Sequence, residues 1–355
     1  MKKAVFSPRS PLNALLAAAV LALLLRQGAA VAAGVRQGLL YLGGTLISAL
    51  FPFLILSEWL TKSGAGRALT RPLTGPVSRL TGLSRPAAAA LLLGFICGTP
   101  VGCLTAADLW KRGEIDEGDR DRLMLFSCNP GLGFMAGAVG AACGSRGRGI
   151  LLWALLLLSA LTLCTLSRFL FAKTGKAANI PQNGIKKAAF DLPSCVTTAT
   201  QNMVKIAGFY LAACAFLGGL TPWLSRLPPL PRATICGGLE LSAGVEAAAA
   251  LSPRGAFLFC AALCGFAGLT IALQLRSLAG TSASPLPLYL SARLAVGALC
   301  LFSAQCAWRF ARRAVPAARF TFSTQAATWA RMLPLLFFAC SLCLFAAFRK
   351  AKRQK

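Results

Sequence analysis

Few residues of this chain have side chains suited to chemistry, and the carboxylates inside apolar segments are the most notable. The 355 residues include 10 acidic residues and no histidine. Glu58, Glu240 and Glu246 lie within or at the edge of apolar segments. An ionisable group inside a bilayer costs at least about 2.5 kcal/mol, so such groups mark candidate functional sites. Glu240 is the strongest candidate because GGLELSAGVEAAAAL surrounds it with glycines and a serine, whereas Glu58 lies near Lys62 at an expected interface.

The other notable feature is a glycine- and proline-rich interruption, GFICGTPVG, in the middle of a long apolar segment. A break at Gly98, Thr99 and Pro100 exposes backbone N–H and C=O groups at mid-membrane depth, where protein or a water-filled cavity must satisfy them. The break directs the positive end of a half-helix dipole toward a cavity, which favours an anionic ligand. Glycine also allows close approach of a ligand, and proline removes a donor. For one such break alone, a packing kink between close helices is the alternative interpretation.

The composition indicates an integral membrane protein. Hydrophobic residues make up 56% of the chain and charged residues only 13%, about half the usual charged share of a soluble domain. Segments near spanning length, about 20 residues, are predicted at 12–35, 39–60, 86–107, 123–142, 150–171, 196–217, 233–251, 256–275, 286–310 and 333–348. The segments that begin at Pro86, Leu123, Ala233 and Ala256 contain Gly, Pro, Ser or acidic residues, which predicts broken or re-entrant helices.

Charge patterning indicates how the chain is oriented. The net charge is +27, and the basic residues lie mainly at 62–85, 173–187 and 349–355. The positive-inside rule places these loops and the tail in the cytoplasm, where anionic lipid would attract the tail. Nucleic-acid binding is disfavoured because no compact domain remains to host it. Six acidic residues share the stretch DLWKRGEIDEGDRDR with basic neighbours, which predicts a solvated loop or short surface helix.

The N-terminal segment has two interpretations. Residues 1–36 begin with lysines and an apolar run, and Ala30-Val31-Ala32 resembles a signal-peptide cleavage site. A first transmembrane helix is favoured because further spans follow at once.

The 14 cysteines do not indicate a metal site or a cofactor. Most of them lie within apolar runs, and the pair Cys340 and Cys343 has no second pair nearby. Zinc sites need organised ligands that often include histidine, whereas buried cysteine behaves as a small apolar residue. We expect no metal, no cofactor and no enzyme, because no nucleophile–base pair is evident either.

The two halves of the sequence repeat one another in three places. LTGPVSRLTGLSR at 73–85 recurs as LTPWLSRLPPLPR at 220–232, residues 94–101 correspond to 238–245, and SCNPGLGFM at 127–135 loosely matches LCGFAGLTI at 263–271. Repeated halves with interrupted helices point to a secondary transporter. The predicted organisation is an N-terminal segment at 1–36, a first repeat at 37–172, a basic loop at 173–195, a second repeat at 196–311, and a C-terminal helix with a basic tail at 312–355. The predicted fold is an all-α polytopic membrane protein with about 8–10 hydrophobic segments in two repeats.

These motifs resemble the YlbJ family of sporulation integral membrane proteins, which carry the nucleoside-recognition Gate domain. The resemblance rests on LFPFLILSEWL, LLLGFICGTPVGCLTAADLWKRGEI, FSCNPGLGFMAGAVG, GGLELSAGV and GFAGLTIALQLRS, and together these cover most of residues 39–293. Thr99 departs from the family, which usually has an aromatic residue in a Gly-Tyr-Pro-like turn. Residues 131–134 depart from its Gly-Pro-aromatic pattern.

The resemblance implies a fold and a substrate. It implies inverted repeats with re-entrant hairpins, similar to concentrative nucleoside transporters. It also implies export of dipicolinic acid, a dianion, from the mother cell across the outer forespore membrane during endospore formation. Half-helix N-termini near Thr99 and Asn129 would bind the carboxylates, and Gln274 would donate from the second half. The expected substrate-binding residues are Gly98, Thr99, Pro100, Gly102, Ser127, Asn129, Gly131, Ser242, Gly244 and Gln274.

Glu240 is expected to have a different role, because an ionised carboxylate does not attract a dianion. It would bind a coupling cation or proton, or hydrogen-bond a broken helix end while protonated. A non-transporting scaffold or gating subunit, and a transporter of nucleosides or other small anions, remain alternatives. A homo-oligomer also remains open.

Overall fold

The computed structural model describes residues 11–63, 65–169 and 191–311. These residues belong to one compact unit, Met1–Val315, and within the described ranges every regular element is a helix. The predicted C-terminal segment at 333–348, the basic tail, the pair Cys340 and Cys343, and most of the loop at 173–195 lie outside the described residues.

The multi-pass helical membrane class predicted from composition is confirmed. Four helical stretches of the described residues are long and apolar enough to cross a membrane: Arg146–Phe169, Leu192–Leu224, Pro253–Ser282, which contains the interruption at 267–268, and Leu286–Arg309. Two bent helix pairs pass the same test, which gives up to 6 spans within the described ranges if each pair is one span. The other predicted apolar segments in these ranges form shorter helices, so not every one of them is a span.

The N-terminal region contains three helices: α1 (Pro11–Arg26), α2 (Gly28–Tyr41) and, after a π-helical turn at Leu42–Leu46, α3 (Ile47–Ser63). The first pair bends by 90° between Arg26 and Gly28. Helix α2 packs on the later helix α11 (Leu192–Leu224) through small residues. A Cβ on Gly34 would lie 2.8 Å from Gly218 Cα, so the two backbones touch. Small residues allow this close approach where apolar burial provides little driving force between helices.

The rest of the first half contains a folded-back hairpin, formed by α5 and α6. The elements of this part of the chain are α4 (Ala65–Thr81), α5 (Arg85–Cys97), α6 (Val101–Lys111), α7 (Glu117–Phe126), α8 (Leu132–Phe134), a π-helical turn (Met135–Val139), α9 (Gly140–Ala142) and α10 (Arg146–Leu166). Gly94 on α5 faces Gly102 on α6, and a Cβ on Gly94 would lie 3.0 Å from Gly102 Cα. The two helices therefore form a hairpin with its tip at residues 98–100.

The second half also has a hairpin followed by an interrupted helix. After α11 come α12 (Pro229–Leu239), α13 (Leu241–Ala248), α14 (Pro253–Phe266), α15 (Leu269–Ala279), a 3-10 turn (Gly280–Ser282) and α16 (Leu286–Ala311). Gly237 on α12 faces Gly244 on α13, and a Cβ on Gly237 would lie 3.2 Å from Gly244 Cα. This second hairpin has its tip at Glu240.

All four segments predicted to be interrupted are interrupted. The segments at 86–107 and 233–251 break at the hairpin tips, 98–100 and Glu240. The segments at 123–142 and 256–275 break at 127–131 and 267–268. The repeated motifs at 73–85 and 220–232 each cover the end of one helix, a turn and the start of the next.

The first half, up to α10, and the second half, α11 to α16, contact each other through matching pairs of elements. Helix α6 packs on α15, while α13 packs on the π-helical turn and α9. Helix α7 packs on α16, while α14 packs on α10. Each hairpin therefore contacts the interrupted helix of the other half.

The prediction of a solvated charge run is partly wrong, because one side of α7 is buried. Arg122 is 4% exposed, and its guanidinium donates to the carbonyls of Thr81 and Cys164 and to Ser167 Oγ. The carboxylate of Asp119 accepts a hydrogen bond from the Ser84 amide at 2.9 Å. Arg122 thus bonds carbonyls at the C-terminal ends of α4 and α10, and Asp119 accepts from an amide at the start of α5. Backbone groups at these helix ends lack partners within the helix.

Candidate functional site

In the first half, the hairpin tip meets the second interruption through Thr99 and Asn129. The Thr99 amide donates to Asn129 O at 2.8 Å, and Thr99 Oγ1 donates to the same oxygen at 3.1 Å. Gly98 has φ of +77° and lies against Gly131; a Cβ at Gly98 would be 2.8 Å from Gly131 N. Only glycine fits this position, because both the backbone conformation and the close approach exclude a side chain. We call these residues, 98–100 with 127–131, the first break pair.

Asn129 holds this pair in place. It is 1% exposed, and its Nδ2 donates to Phe126 O at 2.8 Å, at the C-terminal end of α7. Its backbone carbonyl accepts from Thr99, and its side-chain Oδ1 accepts from Arg293 on α16. One asparagine therefore satisfies backbone groups at both interruptions and reaches the other half of the molecule.

Gly102 and Ser127 lie at the crossing of the first hairpin with α7. A Cβ on Gly102 would be 2.8 Å from Ser127 O, and Ser127 is fully buried. The Ser127 hydroxyl donates to Leu123 O at 2.6 Å within α7. The structure thus brings both residues to the first break pair, where they contribute to close packing.

In the second half the hairpin tip also meets the second interruption, but here the threonine and the positive-φ glycine lie on the interruption; we call residues 237–240 with 267–270 the second break pair. Thr270 Oγ1 donates to Leu239 O at 2.6 Å, which joins the start of α15 to the tip of the second hairpin. Gly268 has φ of +85°, and a Cβ there would lie 3.1 Å from Gly237 O. In both halves, therefore, a threonine hydroxyl and a left-handed glycine join the hairpin tip to the second interruption.

Glu240 caps the second half of its own hairpin. Its Oε2 accepts a hydrogen bond from the Ala243 amide at 2.7 Å, and the residue is 4% exposed. The carboxylate therefore satisfies a free amide at the N-terminus of α13, where a negative charge is also favoured by the helix dipole. It forms no ion pair within the described ranges.

The remaining predicted residues lie close to Glu240 or outside the break pairs. Ser242 is half-buried in the first turn of α13, two residues after Glu240. Gly244 faces Gly237 in the hairpin seam. Gln274 is buried, and its Nε2 donates to Ile206 O of α11 at 3.4 Å.

Sequence reasoning missed Arg293, which is fully buried between the two halves. Its NH1 donates to Asn129 Oδ1 at 3.1 Å, and its NH2 donates to Cys264 O at 3.2 Å in the last turn of α14. Its Nε has no hydrogen-bond partner among the described residues, and neither has the buried hydroxyl of Tyr289. The signal was available, because Arg293 is a basic residue well inside the apolar segment 286–310.

No family model, no curated protein and no solved structure matches the chain. Within the described ranges, no group of three or more His, Cys, Asp or Glu side chains is arranged to hold a metal ion. The candidate site thus consists of two break pairs and the buried arginine that connects the two halves.

Proposed function

We propose that this chain is a membrane transporter of a small anionic metabolite, with dipicolinic acid as the first candidate substrate. The observation that carries the proposal is the occurrence of one break pair in each half. Interrupted helices in corresponding positions of two repeats form the binding sites of secondary transporters, because their freed backbone groups contact the substrate. The enclosed position of both pairs suits a site that opens alternately to the two sides of the membrane.

Reciprocal packing supports the repeat that this proposal requires. Each hairpin contacts the interrupted helix of the other half, α6 with α15 and α13 with the π-helical turn. A relative movement of the halves would therefore change the surroundings of both break pairs together.

The substrate class has two supports. Half-helix N-termini favour anions, and the resemblance to the YlbJ family suggests dipicolinate, exported from the mother cell across the outer forespore membrane. The proposal assigns no catalysis to the chain. Glu240 would couple transport to a proton or cation by exchanging its contact with the Ala243 amide for that ion.

A second candidate is a non-transporting scaffold or gating subunit in spore maturation. The close packing at both break pairs favours it, since Gly98 lies against Gly131 and Gly268 lies near Gly237 O with no room for a side chain. A scaffold needs only this packing, whereas a transporter must also open it.

Dipicolinate entry into proteoliposomes distinguishes the two candidates, with trapped terbium reporting the luminescent chelate. The variant Thr99→Val removes one hydroxyl from the first break pair, and Thr234→Val removes an exposed hydroxyl that bonds only Leu230 O of its own helix. We expect uptake above protein-free liposomes, slowed by Thr99→Val and unchanged by Thr234→Val. Absence of uptake by folded protein under proton and sodium gradients would favour the scaffold.

A further inference from the structure

We propose that Arg293 is the anion-binding residue of this protein and that it contacts a carboxylate of the substrate together with Tyr289. The inference rests on the proposed transport function and names the charged group of its site. Three observations support it: the charge of Arg293, the free donors beside it, and its position between the halves.

The first observation is an enclosed positive charge without a described counter-charge. Arg293 is 0% exposed in α16, a helix long and apolar enough to cross a membrane. It forms no ion pair within the described ranges, and both of its acceptors are neutral oxygens, Asn129 Oδ1 and Cys264 O. A buried cation is costly unless it is paired, and such groups inside membranes mark substrate or ion pathways.

The second observation is a pair of free donors on one helix face. Tyr289 and Arg293 are four residues apart on α16, so their side chains lie on the same side of the helix. The Tyr289 hydroxyl and the Arg293 Nε are buried and have no partner among the described residues. A carboxylate has two acceptor oxygens, and it suits this set because a guanidinium binds it through parallel N–H donors.

The third observation is the place of Arg293 between the two interruptions that follow the hairpins. One guanidinium nitrogen reaches Asn129 in the first break pair, and another reaches the carbonyl of Cys264, three residues before the interruption at 267–268. A carboxylate accepts from arginine more strongly than a neutral amide oxygen does. The proposal includes exchange at NH1, where the substrate carboxylate replaces Asn129 Oδ1 and a hydrogen bond that joins the halves is removed.

This arrangement links anion binding at Arg293 to separation of the two halves. The guanidinium is fully enclosed, so an anion reaches it only when the halves move apart. Carboxylates are the ligands we expect to bind this site, and inorganic phosphate shares their oxyanion chemistry. Neutral nucleosides have no charge for Arg293 to bind.

The test measures ligand-induced thermal stabilisation of the purified full chain in detergent, with dipicolinate, benzoate, inorganic phosphate and uridine as separate ligands. The variants are Arg293→Gln, Arg293→Lys and Tyr289→Phe. Arg309→Gln is the matched control, because Arg309 is exposed near the end of the same helix. We expect Arg293→Gln to weaken dipicolinate binding about tenfold or more, Arg293→Lys to weaken it less, and Arg309→Gln to leave it unchanged.

Tyr289→Phe keeps the test decisive if Arg293→Gln does not fold. It removes only a hydroxyl without a partner, so the ligand-free melting temperature should stay the same or rise. We expect weaker dipicolinate binding by this variant. Unchanged dipicolinate affinity in folded Arg293→Gln, or in Tyr289→Phe where Arg293→Gln does not fold, would overturn the assignment.

The outcomes also separate this inference from the transport proposal. Dipicolinate uptake that is the same in wild type and Arg293→Gln would overturn the inference and leave the transport proposal standing. Arg293-dependent binding of benzoate or phosphate without dipicolinate binding would support the inference and remove dipicolinate as the substrate. Folded wild-type protein that binds none of the three anions would overturn both.

Discussion

Arg293 and Asn129 are 164 residues apart in the sequence and are joined by a hydrogen bond of 3.1 Å from the guanidinium NH1 to the amide Oδ1. Asn129 also accepts two hydrogen bonds from Thr99 through its backbone carbonyl. The backbone of Asn129 therefore joins the first break pair, while its side chain joins the two halves through Arg293.

Asn129→Asp should inactivate the anion site without unfolding the protein. The new carboxylate lies next to Arg293 and neutralises it internally, although the hydrogen bond from Nδ2 to Phe126 O is lost. We expect dipicolinate binding to fall about tenfold or more, because the internal carboxylate competes for the guanidinium. Gln201→Glu adds a negative charge at an exposed position of α11 and is the control. Wild-type dipicolinate affinity in folded Asn129→Asp would contradict this account of the site.

Gly98→Ala should destabilise the fold. The residue has φ of +77°, and the added Cβ would be 2.8 Å from the Gly131 backbone. We expect a loss of about 1–3 kcal/mol from backbone strain alone. Gly208→Ala places the same methyl group in open space on α11 and should be neutral or slightly stabilising. Denaturation of both variants in detergent micelles gives the comparison, and equal stability would show that the break pair tolerates a side chain.

Two substitutions of Glu240 should separate its capping role from coupling. Glu240→Gln keeps an oxygen for the Ala243 amide, so the protein should fold while transport falls. Glu240→Ala also removes the cap and should cost about 0.5–2 kcal/mol of stability. Glu246→Gln, at an exposed position of the same helix, is the control for lost charge. The measurement is dipicolinate uptake with and without a proton gradient, and normal uptake by Glu240→Gln would remove Glu240 from the mechanism.

Arg122→Gln should destabilise the first half. The guanidinium donates to the carbonyls of Thr81 and Cys164 and to Ser167, all at buried helix ends. Loss of these charged donors should cost about 1.5–3 kcal/mol. Arg112→Gln removes a partly exposed ion pair with Asp108 and should cost no more than about 1 kcal/mol. Denaturation curves test the difference, and an equal effect would mean that Arg122 does not support the helix ends.

Four of the helix interruptions could be predicted from the sequence, whereas the 90° bend between Arg26 and Gly28, inside the predicted segment 12–35, was not predicted. Glycine, proline, serine and acidic residues inside apolar segments are poor interior residues for a membrane helix, and all four such segments are broken. The sequence did not show which breaks meet. The contact between Thr99 and Asn129 depends on how the hairpin folds back, and no local pattern contains that information.

The buried charges were harder to predict for a different reason. A charge run such as 108–122 is usually solvated, and its sequence does not reveal that Arg122 reaches the ends of two distant helices. Arg293 could have been found, because the energetic argument applied to Glu240 holds equally for a buried arginine. Gln274 was expected to donate to the ligand from the resemblance, and its amide donates to Ile206 O of α11, a contact that no local pattern predicts.

The most direct test of the central claim is the initial rate of dipicolinate entry into terbium-loaded proteoliposomes, measured for wild type and Arg293→Gln at equal protein content. The account predicts a luminescence rise above protein-free liposomes for wild type and a rise near the protein-free rate for the variant. Folded wild-type protein that is no faster than protein-free liposomes, under proton and sodium gradients and membrane potentials of either sign, would contradict it.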